Sequence, residues 1–516
     1  MLWLVVTRIR NILVYVTINR TAEQKKGSPI SPRPVELSFV VVRLSNPIRV
    51  VVLYIGLALV RADLIESERA RRTTDLAWPR ILTGIARMSK NAVDIAMVGI
   101  AVGSVGIAGV GFASPFWGLA FAAGGGIAAG TIALVSQRYG AKRLGAVDRA
   151  VRSSAVVVVA LTLPLVAIFW LFAPDLVAFL SNDAEAVALG ATYLQVVAFG
   201  IPFAALNLVG SRVFIGVDDA QIPMVLRSGG AVANAVTNAI LIFGLDLGVA
   251  GAALGTVLSN AIVTGVFAVG LVAGRLPGLG DLPIQIDPRG SYLADVRELV
   301  DIGTPVIGRN LVWTVAEFPM LAIVALFGPG VVAAYVIARR IWGLMNTPGW
   351  GFGLASSSLV GQELGSGHEE TAEAYGREIA RFAVAVYFVS AVIVFVFAEP
   401  LVAAFAGGGS ETVISVAVSL VSAACVAIVL KGVSGSAAGT LDASGDTGWP
   451  FYSQALGIFG VAIPLAYLGA TTSLGLYGLY LAFLAETTVP AVLNYYRFAS
   501  EKWKQVSRRH RPDASA

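Results

Sequence analysis

Charge is the first thing this chain lacks. Only 13% of its 516 residues are Asp, Glu, Lys or Arg, while 56% are apolar, and the mean hydropathy is +0.78. A soluble domain carries about 25% charged residues, so so little charge excludes an ordinary soluble protein and indicates one that crosses a membrane repeatedly. Cysteine is scarcer still: the lone Cys425, in SAACVAIV, allows no internal disulfide and reads as a small core residue. His368 and His510 are the two histidines, both in polar stretches, and nothing has metal-ligand spacing. The glycine triplet 124–126 is followed by no Lys-Ser/Thr pair, so no phosphate loop points to ATP as the energy source, and close helix packing explains the triplet. The net charge of +5 would suggest nucleic acid in a soluble chain. Here the basic residues fall in connecting loops, where topology accounts for them, and no nucleic-acid partner is expected.

Apolar runs recur from about residue 75, at approximately 79–101, 107–136, 151–173, 185–209, 221–244 and 249–273. After a polar stretch come six more, at approximately 298–327, 331–360, 377–398, 411–431, 449–469 and 474–497. The expected division is an N-terminal extension 1–74, a first six-helix bundle 75–273, a cytoplasmic linker 274–297, a second bundle 298–500 and a basic tail 501–516. Within the extension, Arg8 and Arg10 break the first apolar stretch, which argues against a cleavable signal, and residues 1–44 read as dispensable for the fold. Ile48–Val60 is too short to span and is expected to lie at the membrane interface. Arg138, Lys142, Arg143, Arg149 and Arg152 flank one connection and Arg377 and Arg381 another, whereas Asp175, Asp183, Glu185, Asp246, Glu399 and Glu411 mark the opposite side. The positive-inside rule then puts both termini in the cytoplasm of a plasma-membrane protein.

The two sets of runs are copies. VSQRYG at 135–140 returns as VGQELG at 360–365, and FWGL at 116–119 as IWGL at 341–344, both at an offset of 225. DDAQIP at 218–223 matches GDTGWP at 445–450, and LGVAGAAL at 247–254 matches LGLYGLYL at 474–481, both at an offset of 227. Four matches in register indicate a duplicated six-span unit. An even number of spans keeps both copies in one orientation, related by a pseudo-two-fold axis along the membrane normal. The fold class is therefore all-α integral membrane, about twelve transmembrane helices in two six-helix bundles, with a substrate path between them.

One stretch places a charge inside an apolar run: PRILTGIARMSKNAVDIAMVG at 79–99 carries Asp94. An acid there costs about 2.5–3.5 kcal/mol to insert and suggests function, unless Lys90, one turn earlier on the same face, simply pairs with it. Pro79 could open this helix or serve as its bend point. In the second half Glu317 stands among apolar residues, with Arg309 on a similar face and Arg339 and Arg340 in the next span, so a structural ion pair competes with a coupling role.

VDIAMVG at 93–99, the paired Gln137 and Gln362, GTLDASGDT at 439–447 and IFGLDLGVAGAAL at 242–254, in this order and with the repeat, resemble the multidrug and toxic-compound extrusion (MATE) family, in particular its archaeal and DinF-like branch. The resemblance covers roughly 75–500 and implies a monomeric secondary antiporter that exports amphipathic, often cationic, organic compounds in exchange for H+ or Na+, with no other cofactor. Position by position it implies a cation-coupling and substrate-binding cluster of Asp94, Tyr193, Asn234, Asn238 and Thr256, with Pro79 where the first helix bends and Na+ conceivable near Asp94. The branch has an acid where this chain has Asn238, which leaves a single carboxylate and shifts the expectation towards a proton. Glu317 resembles the acid on the seventh span of the NorM-like branch and is the secondary candidate. The competing reading is a lipid or lipid-linked saccharide flippase, which would want a cavity rich in Arg and Lys. A cavity lined by Asp94, Glu317 and aromatics would favour efflux. An intramembrane enzyme would need a converging nucleophile and base, which the runs do not offer, and no pore-loop signature points to a channel.

Overall fold

In lipid every backbone amide has to be satisfied within its own segment, and long Ala-, Val-, Leu- and Gly-rich runs do this as helices. A computed structural model describes residues 46–510 except Asn182, Pro277, Tyr292 and 407–410, and these are helical almost throughout. Of the expected extension 1–74, residues 1–44, the part read as dispensable, lie outside the described residues.

Helix α1 (Pro47–Arg61) starts at Asn46, whose side chain accepts from the Ile48 amide at 3.0 Å. The first half follows as α2 (Ser67–Val102), α3 (Ser104–Gly140), α4 (Leu144–Leu171), the short α5 (Ala173–Ala178), α6 (Ala184–Ala198), α7 (Ile201–Gly216), α8 (Gln221–Ala239) and α9 (Gly248–Ala273). Helices α6 and α7 form one span bent by 50°. Pro202 in the first turn of α7 cannot donate back into α6, which favours the break. A two-stranded hairpin, β1 (Arg275–Leu276) with β2 (Gly280–Asp281), leads to the second half. That half comprises α10 (Val296–Ala325), α11 (Pro329–Met345), α12 (Thr347–Gly365), α13 (Glu369–Val396), α14 (Ala398–Ala406), α15 (Glu411–Ser444), α16 (Gly448–Ala455), α17 (Ile463–Thr471), α18 (Tyr477–Ala499) and α19 (Lys502–His510).

Among the described residues, eight helices and the bent α6–α7 pair are long and apolar enough to cross a membrane. Helix α2, the broken α11–α12 pair and α18 complete twelve spans in two bundles; they are more polar or interrupted because they carry the charged and latching residues described below. Each half has its own apolar core, around Leu134, Phe214 and Phe267 in the first and around Val421, Ile428 and Phe483 in the second. A third core, with Leu76 and Ile132 against Leu359 and Phe382, joins the halves at one end.

Several boundaries differ from the sequence reading. Helix α2 begins at Ser67, so Pro79 does not open it; it is buried inside the helix, and the Thr83 hydroxyl donates to its carbonyl at 2.8 Å. Helix α15 continues past residue 431 to Ser444, which brings Asp442 into the tenth span. The connection 274–297 is packed rather than free: Leu276, Ile284 and Ile286 are buried in the first core. The basic tail forms α19, whose Trp503 is fully buried and stacks on Phe498 at 5.8 Å.

The end that holds the basic loops is where the halves lock. Gln137 donates to the Ala443 carbonyl at 2.5 Å, and Gln362 donates to the Gly216 carbonyl at 3.1 Å. These are the paired glutamines of the repeated motif, each reaching the same place on the opposite half. Gly140 and Gly365, three residues further on in each copy, lie against the Gln362 and Gln137 carbonyls respectively, where any Cβ would overlap them. Charged contacts surround this latch: Arg69 with Glu378 at 2.8 Å, Arg72 with Asp218 at 2.9 Å and Arg138 with Asp295 at 2.6 Å.

Candidate functional site

Helix α2 carries Asp94 into the first bundle, beside α8 and α9. Its carboxylate receives Lys90 Nζ at 2.7 Å, so the one-turn pairing read from the spacing is present. The other carboxylate oxygen accepts from Asn238 Nδ2 at 2.8 Å. Asn234, one turn earlier on α8, accepts from Asn238 Nδ2 at 3.4 Å and donates to Thr256 and Ser259 hydroxyls on α9, both at 3.3 Å. Four of the five expected cluster residues thus form one hydrogen-bonded chain. Tyr193 packs beside it against Val98, Val110 and Ala252, with no hydrogen bond to Asp94 among the described residues. Ser259 was not expected, although its place three residues after Thr256 puts it on the same helix face. Gly255 makes the arrangement possible, because a Cβ there would overlap the Asn238 side chain.

Asn234 and Asn238 are fully buried, and Asn238 Oδ1 has no hydrogen-bond partner. That oxygen packs against Gly255, while the amide nitrogen faces Asp94, so the carboxylate is the group of this cluster that can take up a proton. A small cation there would have Asp94 as its one charged ligand, with the neutral oxygens of Asn234 and Thr256 nearby. Among the described residues no three His, Cys, Asp or Glu side chains gather.

Between the bundles lies a cavity of about 670 Å³. Glu317 lines it and makes no ion pair among the described residues, whereas Asp94 does not line it. The arginines near Glu317 in sequence have other partners: Arg309 binds Asp442 at 3.1 and 2.7 Å, and Arg339 binds Glu486 at 2.7 and 3.0 Å. These bidentate pairs, which sequence reasoning missed, hold the second bundle's polar wall in place. Aromatic rings carry further cations, with Arg87 at 4.7 Å from the Trp350 ring and Lys431 at 4.8 Å from Trp313.

Two duplicated six-helix bundles, latched at one end around a shared cavity, define the class as a two-bundle membrane carrier. The MatE family profile matches residues 79–240 and 305–468, more than half of the chain with one match in each half, so the chain belongs to the MATE family. It is 27% identical over 435 residues to the "Probable multidrug resistance protein NorM" of Bradyrhizobium diazoefficiens, covering 83% of this chain and 92% of that one. Among solved structures it resembles one described as the "Outward-facing conformation of a multidrug resistance MATE family transporter of the MOP superfamily", with a TM-score of 0.77, 21% identity and coverage of 85% and 96%. It also resembles a Pyrococcus furiosus MOP superfamily transporter described by "Reverse polarity of binding pocket suggests different function", with a TM-score of 0.76, 22% identity and coverage of 84% and 96%. At these identities the structures speak for the fold.

Proposed function

We propose that this chain is a multidrug efflux transporter of the plasma membrane, moving small organic compounds through the cavity between its bundles by alternating access. The observation that carries this reading is near full-length kinship with multidrug resistance proteins together with a cavity shared by both bundles and sealed at one end. With the basic loops in the cytoplasm, the sealed end is cytoplasmic and the cavity faces outward. Coupling is assigned to Asp94, Asn234, Asn238 and Thr256, with Tyr193 as their wall and Pro79 as a bend point in α2. The absent N–H of Pro79 leaves a weak point in the ladder of α2 about which the Asp94 end can tilt. A proton is favoured over Na+ because Asp94 is the cluster's single carboxylate. Protonation would release Lys90 and remove one acceptor from Asn238, which loosens the hold of α2 on α8. Export then follows from exchange: proton entry at this cluster accompanies substrate exit from the cavity.

Asp94→Asn tests the assignment in proteoliposomes with an imposed pH or sodium gradient. The amide preserves shape and is cheaper to bury, so the variant folds but loses gradient-driven efflux. Undiminished gradient-dependent efflux would move coupling to Glu317. A second reading, a flippase for a lipid or lipid-linked saccharide, is favoured by one observation, the basic side chains of the cavity wall.

A further inference from the structure

The charges that line the cavity are unevenly divided. The second bundle contributes Arg309, Arg339 and Lys431 with Glu317, Asp442 and Glu486, three of each sign. The first bundle contributes Arg80, Arg87 and Arg212 and no acid. Arg80 and Arg87 are seven residues apart on one face of α2, and Arg212 faces them from α7. Arg80 and Arg212 share a further recess with Arg227 of α8. None of these four arginines pairs with a carboxylate among the described residues. Arg80 Nε, Arg212 Nη1 and Arg227 Nη1 are buried and lack any hydrogen-bond partner.

Guanidinium groups gathered with buried nitrogens repel one another and forfeit hydrogen bonds, a cost that a single anion would relieve at several donors at once. Structural arginines in this same molecule look different: Arg309 and Arg339 each have a bidentate carboxylate. Aromatic faces stand beside the free cations, Trp350 next to Arg80 and Arg87, and Phe121 5.3 Å from Arg87. They offer apolar surface for the rest of a ligand.

Resting on the reading of this cavity as the transport path, we infer that it takes an amphipath with an anionic head group, a phosphate, sulfonate or carboxylate. The head group is held by Arg80, Arg87 and Arg212, and the apolar body lies against Trp350 and Phe121. An inside-negative membrane potential would itself drive such a ligand outward.

Two xanthene dyes of opposite charge test this with the full-length protein: sulforhodamine B, net negative, and rhodamine 6G, positive. Equilibrium binding in detergent is expected to favour sulforhodamine B. The double substitution Arg80→Gln with Arg212→Gln should weaken it about tenfold or more, as loss of charge-assisted bonds requires, while rhodamine 6G binding holds or improves. Arg80→Lys should retain most of the sulforhodamine B affinity. Thermal unfolding checks that the double variant is folded; should it not be, Arg87→Gln alone gives the same readout with a smaller loss. Tighter binding of rhodamine 6G, or sulforhodamine B affinity unmoved by both the double substitution and Arg87→Gln, overturns the inference. Proteoliposomes then separate the sources of the anion. Transport of sulforhodamine B alone indicates a soluble amphipath, and movement of fluorescent phosphatidylglycerol between leaflets indicates a lipid head group. Both results support an anionic ligand. Arginine-dependent binding with transport of neither would leave the anion site standing and sink the reading of the cavity as a transport path.

Discussion

The two bundles descend from one repeat, yet they treat the charge that lines their shared cavity in opposite ways. The second bundle neutralises its arginines with carboxylates, so that Arg309–Asp442 and Arg339–Glu486 are finished pairs. The first bundle leaves Arg80, Arg87 and Arg212 without acids and keeps Asp94 away from the cavity, paired with Lys90 and joined to a cluster of amides and hydroxyls. What the copies share is instead the latch, where the side chains of Gln137 and Gln362 and the missing side chains of Gly140 and Gly365 serve backbone-level contacts. Duplication has thus preserved the joint between the bundles while their polar interiors diverged, one towards rigidity and one towards binding.

The largest effect expected from breaking this contrast is in the second bundle. Glu486 is almost fully buried, and Glu486→Ala leaves Arg339 uncompensated, at about 3–5 kcal/mol of stability. Thermal unfolding of the purified protein should show it, and joint replacement of Arg339 by Met and Glu486 by Leu should restore most of the loss. Removing a carboxylate in the first bundle, Asp94→Asn, should shift unfolding far less while abolishing coupled transport. Equal losses of stability from Glu486→Ala and Asp94→Asn would erase the distinction between a structural and a functional acid.

The latch offers the next effect. Gly140→Ala and Gly365→Ala each press a methyl group into a carbonyl of the facing helix, so each should destabilise the closed end by about 1–3 kcal/mol. By symmetry the two losses should be similar. Spin-label distances across the latch should lengthen in both variants, and an unchanged distribution in either would mean that the close approach is dispensable.

The sequence made the architecture legible because helical runs and an internal repeat survive as linear patterns. The i,i+4 spacings of Lys90 with Asp94 and of Asn234 with Asn238 were legible for the same reason, since each lies on one helix face. Asp442 was hidden because α15 outruns its apolar stretch by more than three turns, a continuation that apolarity alone does not mark. Glu486 is one acid in an otherwise unremarkable span, and only packing reveals Arg339 as its partner. The spacing of Arg80 and Arg87 was open to inspection, but Arg212 lies more than a hundred residues away, and the first bundle's surplus of positive charge emerges only when α2 and α7 face the same cavity.

The smallest effect sharpens the comparison most. Gln137 and Gln362 occupy equivalent places, but their surroundings are unequal. The Gln137 side chain gives one hydrogen bond across the interface, to Ala443, and its Oε1 is buried without a partner. The Gln362 side chain bonds Gly216 across the interface, donates to the Ser358 hydroxyl at 3.1 Å, and accepts from Arg72 at 2.9 Å. A net hydrogen bond contributes about 1 kcal/mol, and deleting an unsatisfied acceptor returns part of that. Gln137→Ala should therefore cost the closed end about 1 kcal/mol or less. Gln362→Ala, which also strands one Arg72 contact, should cost about 2 kcal/mol. In a Cys425→Ala background, a cysteine at Ser444, fully buried beside Ala443 in the latch, reports the difference through its rate of thiol labelling, which rises as the closed state becomes less populated. The expected order is parent slowest, Gln137→Ala intermediate and Gln362→Ala fastest. Equal labelling of the two variants, or the reverse order, would show that the Arg72 network around the second copy adds nothing to closure.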